Sequence, residues 1–301
     1  METIWGIDLG GTKIEGVILG KARRETLFRK RVLTSSGKGY VHILSKIEML
    51  VKEMAAKAGN LPGVIGIGTP GSLEPSTGNL KNSNTVCLNG KPIKSDLEKI
   101  LKVKIRIAND ANCFALAETK MGIITGKVPD ASVVFGIIMG TGVGGGIVVN
   151  DTVINGKHGI AGEWGHNFLD DSGGNCYCGR TGCVETLISG KALEKYYHGQ
   201  VGEHKPLEEI YKLSRSKDNK VSQETLERLY KYFGKAVAVV INILDPDAIV
   251  IGGGLGNIDE LYTRGVAETK KYVFNTTLTT PFLKPSLGDS AGVYGAALLC
   301  L

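Results

Sequence analysis

Two rhythms of apolar residues run along this chain. In IWGIDLGGTKIEGVIL (4–19), short apolar runs flank a pair of glycines, which predicts a strand, a tight turn and a returning strand. Residues 40–58 read as a helix, and GVIGIGTPG (63–71) reads as the next strand. An irregular stretch rich in Asn, Gly and Ser covers 71–95. The short helix SDLEKIL (95–101) and the strand KIRIAND (104–110) follow. ANCFALAETKMG (111–122) has helical spacing, with Ala, Phe, Leu and Ala on one side. Between Ser222 and Leu244, apolar residues recur at 226, 229, 233, 237, 240, 241 and 244, the mark of a long helix, and Asp245-Pro246 ends it. AIVIGGGLGN (248–257) is a strand running into glycines, and SAGVYGAALLC (290–300) is a helix of small residues able to pack closely.

The pattern also repeats. VFGIIMGTGVGGGIVV (134–149) lies on WGIDLGGTKIEGVIL without gaps at an offset of 130 residues. Gly6 falls on Gly136, Ile7 on Ile137, Gly10 on Gly140 and Gly16 on Gly146. Both copies are strand, glycine turn, strand. The repeat suggests an α/β protein of two related lobes, each offering a glycine hairpin to a shared cleft, and strand ends are where such proteins bind ligands.

A length of 301 residues accommodates two lobes with separate cores. The net charge of +6 is modest, and KARRETLFRKR (21–31) reads as a solvated strand edge rather than a nucleic-acid stripe. Glu2, Trp5, Gly6 and Asp8 occupy the place a signal peptide's apolar region would need, and runs such as VVFGIIM are far too short to span a membrane. No nucleic-acid or membrane partner is expected. Three of the six cysteines crowd into GEWGHNFLDDSGGNCYCGRTGCVE (162–185) as CxC plus one more, with His166 ahead of them. That grouping suits a metal better than disulfides, although a redox CxC stays open, and it points to a reduced, cytoplasmic protein. Glycine is the compositional anomaly: 42 residues, clustered, as if backbone served as a ligand surface.

Three glycine turns carry candidate chemistry. DLGGTK lacks the Walker spacing, yet Gly10 and Gly11 would let backbone N–H groups approach an anion. Thr12 would add a hydroxyl, Lys13 a charge, and Asp8 could hold Mg2+ through water. GTGVGGG repeats the cradle with Gly140, Thr141 and Gly142. In GGGLGN, Gly253 and Gly254 would let a flat base or ribose lie on bare backbone. Each alone could be an ordinary hairpin; three together, two of them echoing, favour a nucleoside triphosphate held between the lobes. Phosphoryl transfer to a hydroxyl further requires a base. Asp110 stands at a strand end and helix start, where it could be that base or merely a helix cap. Asn109 beside it could bind a sugar hydroxyl or make a turn.

DLGGTK, GTPG, NDANCFALAE, MGTGVGGGIV, GEWGH, CYCGRTGCVE and DPDAIVIGGGLGN together resemble the ROK family of sugar kinases and sugar-responsive repressors, particularly its N-acetylglucosamine kinases and glucokinases. The resemblance implies the actin-like ATPase (ribonuclease H-like) fold, an α/β architecture of two lobes around a central cleft. The expected division is 1–110 plus 288–301 for the small lobe and 111–287 for the large one. It implies a structural zinc on His166, Cys176, Cys178 and Cys183, four ligands with no open position. It also implies a sugar held by Gly71, Asn84, Asn109, Asp110, Glu163, His166 and Glu185, with His166 serving both metal and sugar. ATP and Mg2+ are the implied cofactors, a small-molecule sugar the partner, and a homodimer the assembly. The expected reaction is phosphorylation of an aldohexose, glucose or N-acetylglucosamine, at its 6-hydroxyl with Asp110 as base, lobe closure excluding water. The alternatives are a catalytically idle sugar sensor or a transcription regulator. The latter would need a helix-turn-helix domain ahead of the first strand, which begins at about residue 3.

Overall fold

The computed structural model describes residues 2–22, 24–216 and 218–301, and its elements fall into two compact units. The first comprises Met1–Pro129, Gly146–Ala161 and Ser286–Leu301; the second comprises Asp130–Gly145 and Gly162–Pro285.

In the first unit, strands β1 (Thr3–Leu9), β2 (Lys13–Gly20) and β3 (Thr26–Leu33) precede helix α1 (Tyr40–Ala58) and strand β4 (Val64–Thr69). The stretch expected to be irregular holds a small hairpin, β5 (Ser72–Leu73) and β6 (Leu80–Lys81), and helix α2 (Ile93–Leu101) begins two residues earlier than its sequence suggested. Strand β7 (Lys104–Asn109) leads into α3 (Asp110–Lys120) and the short α4 (Ile123–Lys127).

The sheet order is β3-β2-β1-β4-β7, antiparallel through the hairpin and parallel from β1 to β4 to β7. Because side chains alternate along a strand, Trp5, Ile7, Ile65 and Ile67 enter a core against Ile43 and Ile47 of α1. Gly6 and Gly66 take the opposite face. There α10 (Ala291–Leu298) lies so close that a Cβ on Gly66 would meet the Ala296 carbonyl oxygen at 1.8 Å. The glycines of these strands thus make room for the small-residue helix. Helix α3 packs on α10 in turn.

β3 is an edge strand. Its basic residues are spent within the protein: Arg29 and Arg31 grip Glu15, itself 1% exposed, at 2.6 and 2.8 Å. Arg23 of that basic run lies outside the described residues.

The second unit holds β8 (Val133–Met139) and the start of β9 (Val143–Val149), whose end pairs with β10 (Thr152–Val153) in the first unit. Then come α5 (Glu185–Ile188), α6 (Gly190–Val201), α7 (Leu207–Ser214) and α8 (Lys220–Leu244). Strand β11 (Ala248–Gly252), α9 (Arg264–Lys270) and β12 (Phe282–Leu283) complete it. Leu226, Leu229, Phe233, Val237, Val240 and Ile241 of α8 are buried, as their spacing requires. Asp245 takes a left-handed conformation (φ 43°) ahead of Pro246 and ends the helix.

The second sheet runs β10-β9-β8-β11-β12, position for position the order of the first. The 130-residue echo is therefore topological as well as sequential. Among the described residues, no helix is long and apolar enough to cross a membrane.

Candidate active site

The first glycine turn closes when the Gly10 N–H donates to the Lys13 carbonyl at 2.9 Å and the Thr34 hydroxyl donates to the Gly10 carbonyl at 2.7 Å. Gly10 is thereby committed to the turn, and Gly11 and Thr12 form its outward rim. The Lys13 ammonium stands 3.6 Å from Asp289, which also bonds Arg31. Asp8, half-buried at the end of β1, has its carboxyl pushed up to about 7. Burial is the largest cause, followed by the charges of Asp110 and Glu15; Lys13 and Arg31 pull the other way. The first unit therefore brings Asp8 and Asp110 into one electrostatic neighbourhood.

At the start of α3, Asn109 takes the cap. Its extended backbone and its Oδ1, which accepts from the Ala111 N–H at 2.8 Å, fit the N-cap pattern. Asp110 is the first helical residue, exposed, its Oδ1 also 2.8 Å from that N–H. Both side chains therefore offer an oxygen to the same N–H at the helix start. Gly71 is buried at the entry to the β5–β6 hairpin. Asn84 is exposed and, among the described residues, its side chain has no hydrogen-bond partner. The loop carrying it is pinned by Asn89, whose amide bonds both the N–H and the carbonyl of Ser83.

In the second unit, the Gly140 N–H donates to the Gly142 carbonyl at 2.9 Å, with Thr141 exposed at the tip. Glu185, the first residue of α5, accepts the Val143 N–H on Oε2 at 2.8 Å, and a Cβ on Gly142 would lie 2.5 Å from that same oxygen. At the end of β11, Gly253 (φ 79°) packs against Met139 in a conformation that favours glycine. Gly254 beside it is exposed, with nothing within 4 Å of where a Cβ would stand.

The 162–185 loop is anchored by Trp164, whose indole N–H donates to the Gly144 carbonyl at 3.0 Å and whose ring meets Phe135 edge-on. This holds Glu163 and His166 in place. Burial and then Glu185 raise the Glu163 carboxyl above its ordinary value, while His166 opposes them. His166, Cys176, Cys178 and Cys183 offer ligand atoms all within 4.8 Å of one another. Cys176 Sγ to His166 Nδ1 and Cys178 Sγ to Cys183 Sγ are each 3.6 Å. A tetrahedral zinc with Zn–S bonds of about 2.3 Å would separate sulfurs by roughly 3.8 Å, so this donor set fits the ion. Burial, then the neighbouring sulfurs, push the Cys183 thiol up to about 12, and a cation would offset that crowding. Cys87, Cys113 and Cys300 take no part in the cluster.

The chain matches the ROK family over residues 4–301. This chain belongs to the ROK family. It is 36% identical to the N-acetyl-D-glucosamine kinase of Pectobacterium carotovorum subsp. carotovorum, over 99% of this chain and 98% of that one. Among solved structures it is similar to the ROK hexokinase from Thermus thermophilus, with a TM-score of 0.87 and 30% identity over 99% of this chain and 97% of the other. It is also similar to the ROK family glucokinase from Streptomyces griseus in complex with glucose and AMPPNP, with a TM-score of 0.78, 25% identity and 99% of each chain covered. The fold is the actin-like ATPase fold of these ROK sugar kinases.

Within this ROK chain, sequence reasoning passed over three parts of the site. Asp289 faces Lys13, yet 276 positions separate them and nothing local pairs them. The Val143 N–H is backbone and leaves no residue signal. Tyr177, between two cysteine ligands in CYCG, places its hydroxyl 3.0 Å from His166 Nε2; an aromatic at the centre of a CxC was the signal available.

Proposed function

We propose that this ROK protein is an ATP-dependent sugar kinase that phosphorylates an aldohexose at its 6-hydroxyl, with N-acetylglucosamine the first choice of acceptor. The observation that carries the reading is Asp110, exposed at the start of α3, in the electrostatic neighbourhood of Asp8 at the end of β1. The name of the Pectobacterium relative supports the choice of sugar.

Asp110 accepts the proton of the 6-hydroxyl. The freed oxygen forms a bond to the γ-phosphorus as the bond from that phosphorus to the β–γ bridging oxygen breaks, and ADP leaves with the electron pair. The N-terminus of α3 favours Asp110 as a carboxylate until the proton arrives. Asn109, its Oδ1 committed to the cap, offers its amide N–H groups to the sugar, and Gly71 and Asn84 line the same side.

Glu163, His166 and Glu185 fix the remaining hydroxyls. Glu185 does so with its outer oxygen while the other holds Val143. Gly11, Thr12 and Lys13, with Gly140, Thr141 and Gly142, receive phosphate oxygens. Gly253 and Gly254 leave a flat surface for the nucleoside.

Asp8, crowded by a second carboxylate, suits a divalent cation, and bound Mg2+ supplies charge neutralisation on the phosphates. Zinc on His166, Cys176, Cys178 and Cys183 supplies no chemistry to the substrate; those four residues fix the loop that bears Glu163 and leads into Glu185. The homodimer and the cytoplasmic setting belong to the same proposal. Nuclear magnetic resonance of the product tests it: the phosphate is expected on carbon 6, and phosphate on carbon 1 would refute the assignment.

A further inference from the structure

We propose that Gly292 is a positioning residue for the divalent cation: it carries no side chain, so that the Asp8 carboxylate can stand where a metal on the nucleotide phosphates needs it. The inference rests on the sugar-kinase reading and deepens it.

Gly292 is the second residue of α10. A Cβ there would lie 3.0 Å from Asp8 Oδ2, 3.2 Å from its Cγ and 3.5 Å from Oδ1, crowding the whole carboxylate. Gly68, the neighbour of Asp8 in the β1–β4 pairing, comes nearly as close, since a Cβ on it would be 3.3 Å from Oδ1. Among the described residues, no hydrogen bond or ion pair holds the Asp8 side chain. Packing against two residues without side chains therefore sets its place.

The helix has no room to yield instead. A Cβ on Gly6 or Gly66 would run into the backbone of α10, and a Cβ on Gly295 of α10 would run into the Cys113 carbonyl of α3. The chain entering the helix is tied down by Glu118, fully buried, which accepts the Leu287 N–H at 2.9 Å and the Ser286 N–H at 3.0 Å. A methyl at 292 would thus move the one unfastened partner, the carboxylate, by a few tenths of an ångström. Mg2+ demands near-ideal octahedral geometry with oxygens at about 2.0–2.1 Å, so a shift of that size matters to the metal while costing the fold little.

Gly292→Ala is compared with wild type by calorimetry, using AMPPNP with excess Mg2+ and again with EDTA, N-acetylglucosamine alone, and thermal melts. The expected result is Mg2+-AMPPNP affinity about tenfold weaker, with metal-free nucleotide and sugar affinities within about twofold. The melting temperature should be no lower than wild type, because alanine is the better helix former. In an Asp8→Asn background, Gly292→Ala should change Mg2+-AMPPNP affinity by less than about twofold, since the group it displaces is no longer a carboxylate.

Equal weakening with and without Mg2+ overturns the inference, because the methyl then meets the nucleotide itself. Unchanged Mg2+-AMPPNP affinity overturns it, as does a loss that persists beside Asp8→Asn. A melting temperature lower by more than about 5 °C, or failure to fold, means that α10 gives way rather than Asp8, and overturns it as well. A wild-type protein that binds no Mg2+-AMPPNP takes down the kinase reading itself, a failure distinct from that of Gly292.

Discussion

Glu185 and Val143 are joined by a 2.8 Å hydrogen bond from the Val143 N–H to the carboxylate. The residue that opens α5, just after the cysteine loop, thereby braces the second glycine turn within the same unit. One side chain is shared between the group that would hold the sugar and the backbone that would receive phosphate.

Glu185→Ala should therefore raise KM for both sugar and ATP, each by about tenfold, since a charged acceptor of a buried N–H is lost. Glu185→Gln can still accept from Val143 through its amide oxygen, so KM for ATP should stay within about twofold while KM for sugar rises. Separate titrations of the two substrates check this. An alanine variant affected only in sugar would show that the bond to Val143 does not matter to the nucleotide.

The raised carboxyl of Asp8 predicts a pH dependence. Its value in the fold, about 7, lies above the ordinary 3.8, so the folded state holds a proton that the unfolded chain has released. Ionised Asp8 therefore costs stability, and the cost grows from about pH 4 to about pH 7 and is full above that. Asp8→Asn should melt higher than wild type at pH 8, and the margin should narrow as pH falls toward 4. Affinity for Mg2+-ATP, which needs the carboxylate, should rise with pH through about 7 in wild type. A margin in melting temperature that ignores pH would contradict the shift.

Two glycines should respond in opposite ways. Gly66→Ala drives a Cβ into the Ala296 carbonyl and should cost on the order of 1–3 kcal/mol, lowering the melting temperature by about 5 °C. Gly254→Ala meets nothing within 4 Å and should melt as wild type while weakening ATP binding. Thermal melts with an ATP titration distinguish the structural glycine from the ligand-facing one.

The metal cluster makes a separable prediction. Cys178→Ser should lose zinc on dialysis and weaken sugar binding by about tenfold, because Glu163 and His166 are both placed by that loop. Normal sugar binding by the metal-free variant would limit the zinc to stability.

Much of this was legible from the chain. The hairpin at 4–19, the helix at 40–58 and the long helix ending at Asp245 all carry local signals of period and punctuation, and local signals survive folding. The repeat was visible as four matching residues, though only the structure shows the same strand order twice. What stayed hidden depends on distant residues. Gly6 and Gly66 are small because α10, more than 200 positions later, lies on them. Asn109 takes the cap while Asp110 becomes the first helical residue, a one-position distinction set by backbone angles that composition does not record. Tyr177 is adjacent in sequence to the ligands, but its aim at His166 is a matter of rotamers.

The decisive measurement is ADP release with ATP and Mg2+ over glucose, N-acetylglucosamine, mannose, N-acetylmannosamine and fructose, with Asp110→Asn alongside. Strong turnover on N-acetylglucosamine, falling by about 10²–10⁴-fold in the variant while its sugar binding persists, is the expected result. Silence across the panel, or near-native turnover by Asp110→Asn, would contradict it.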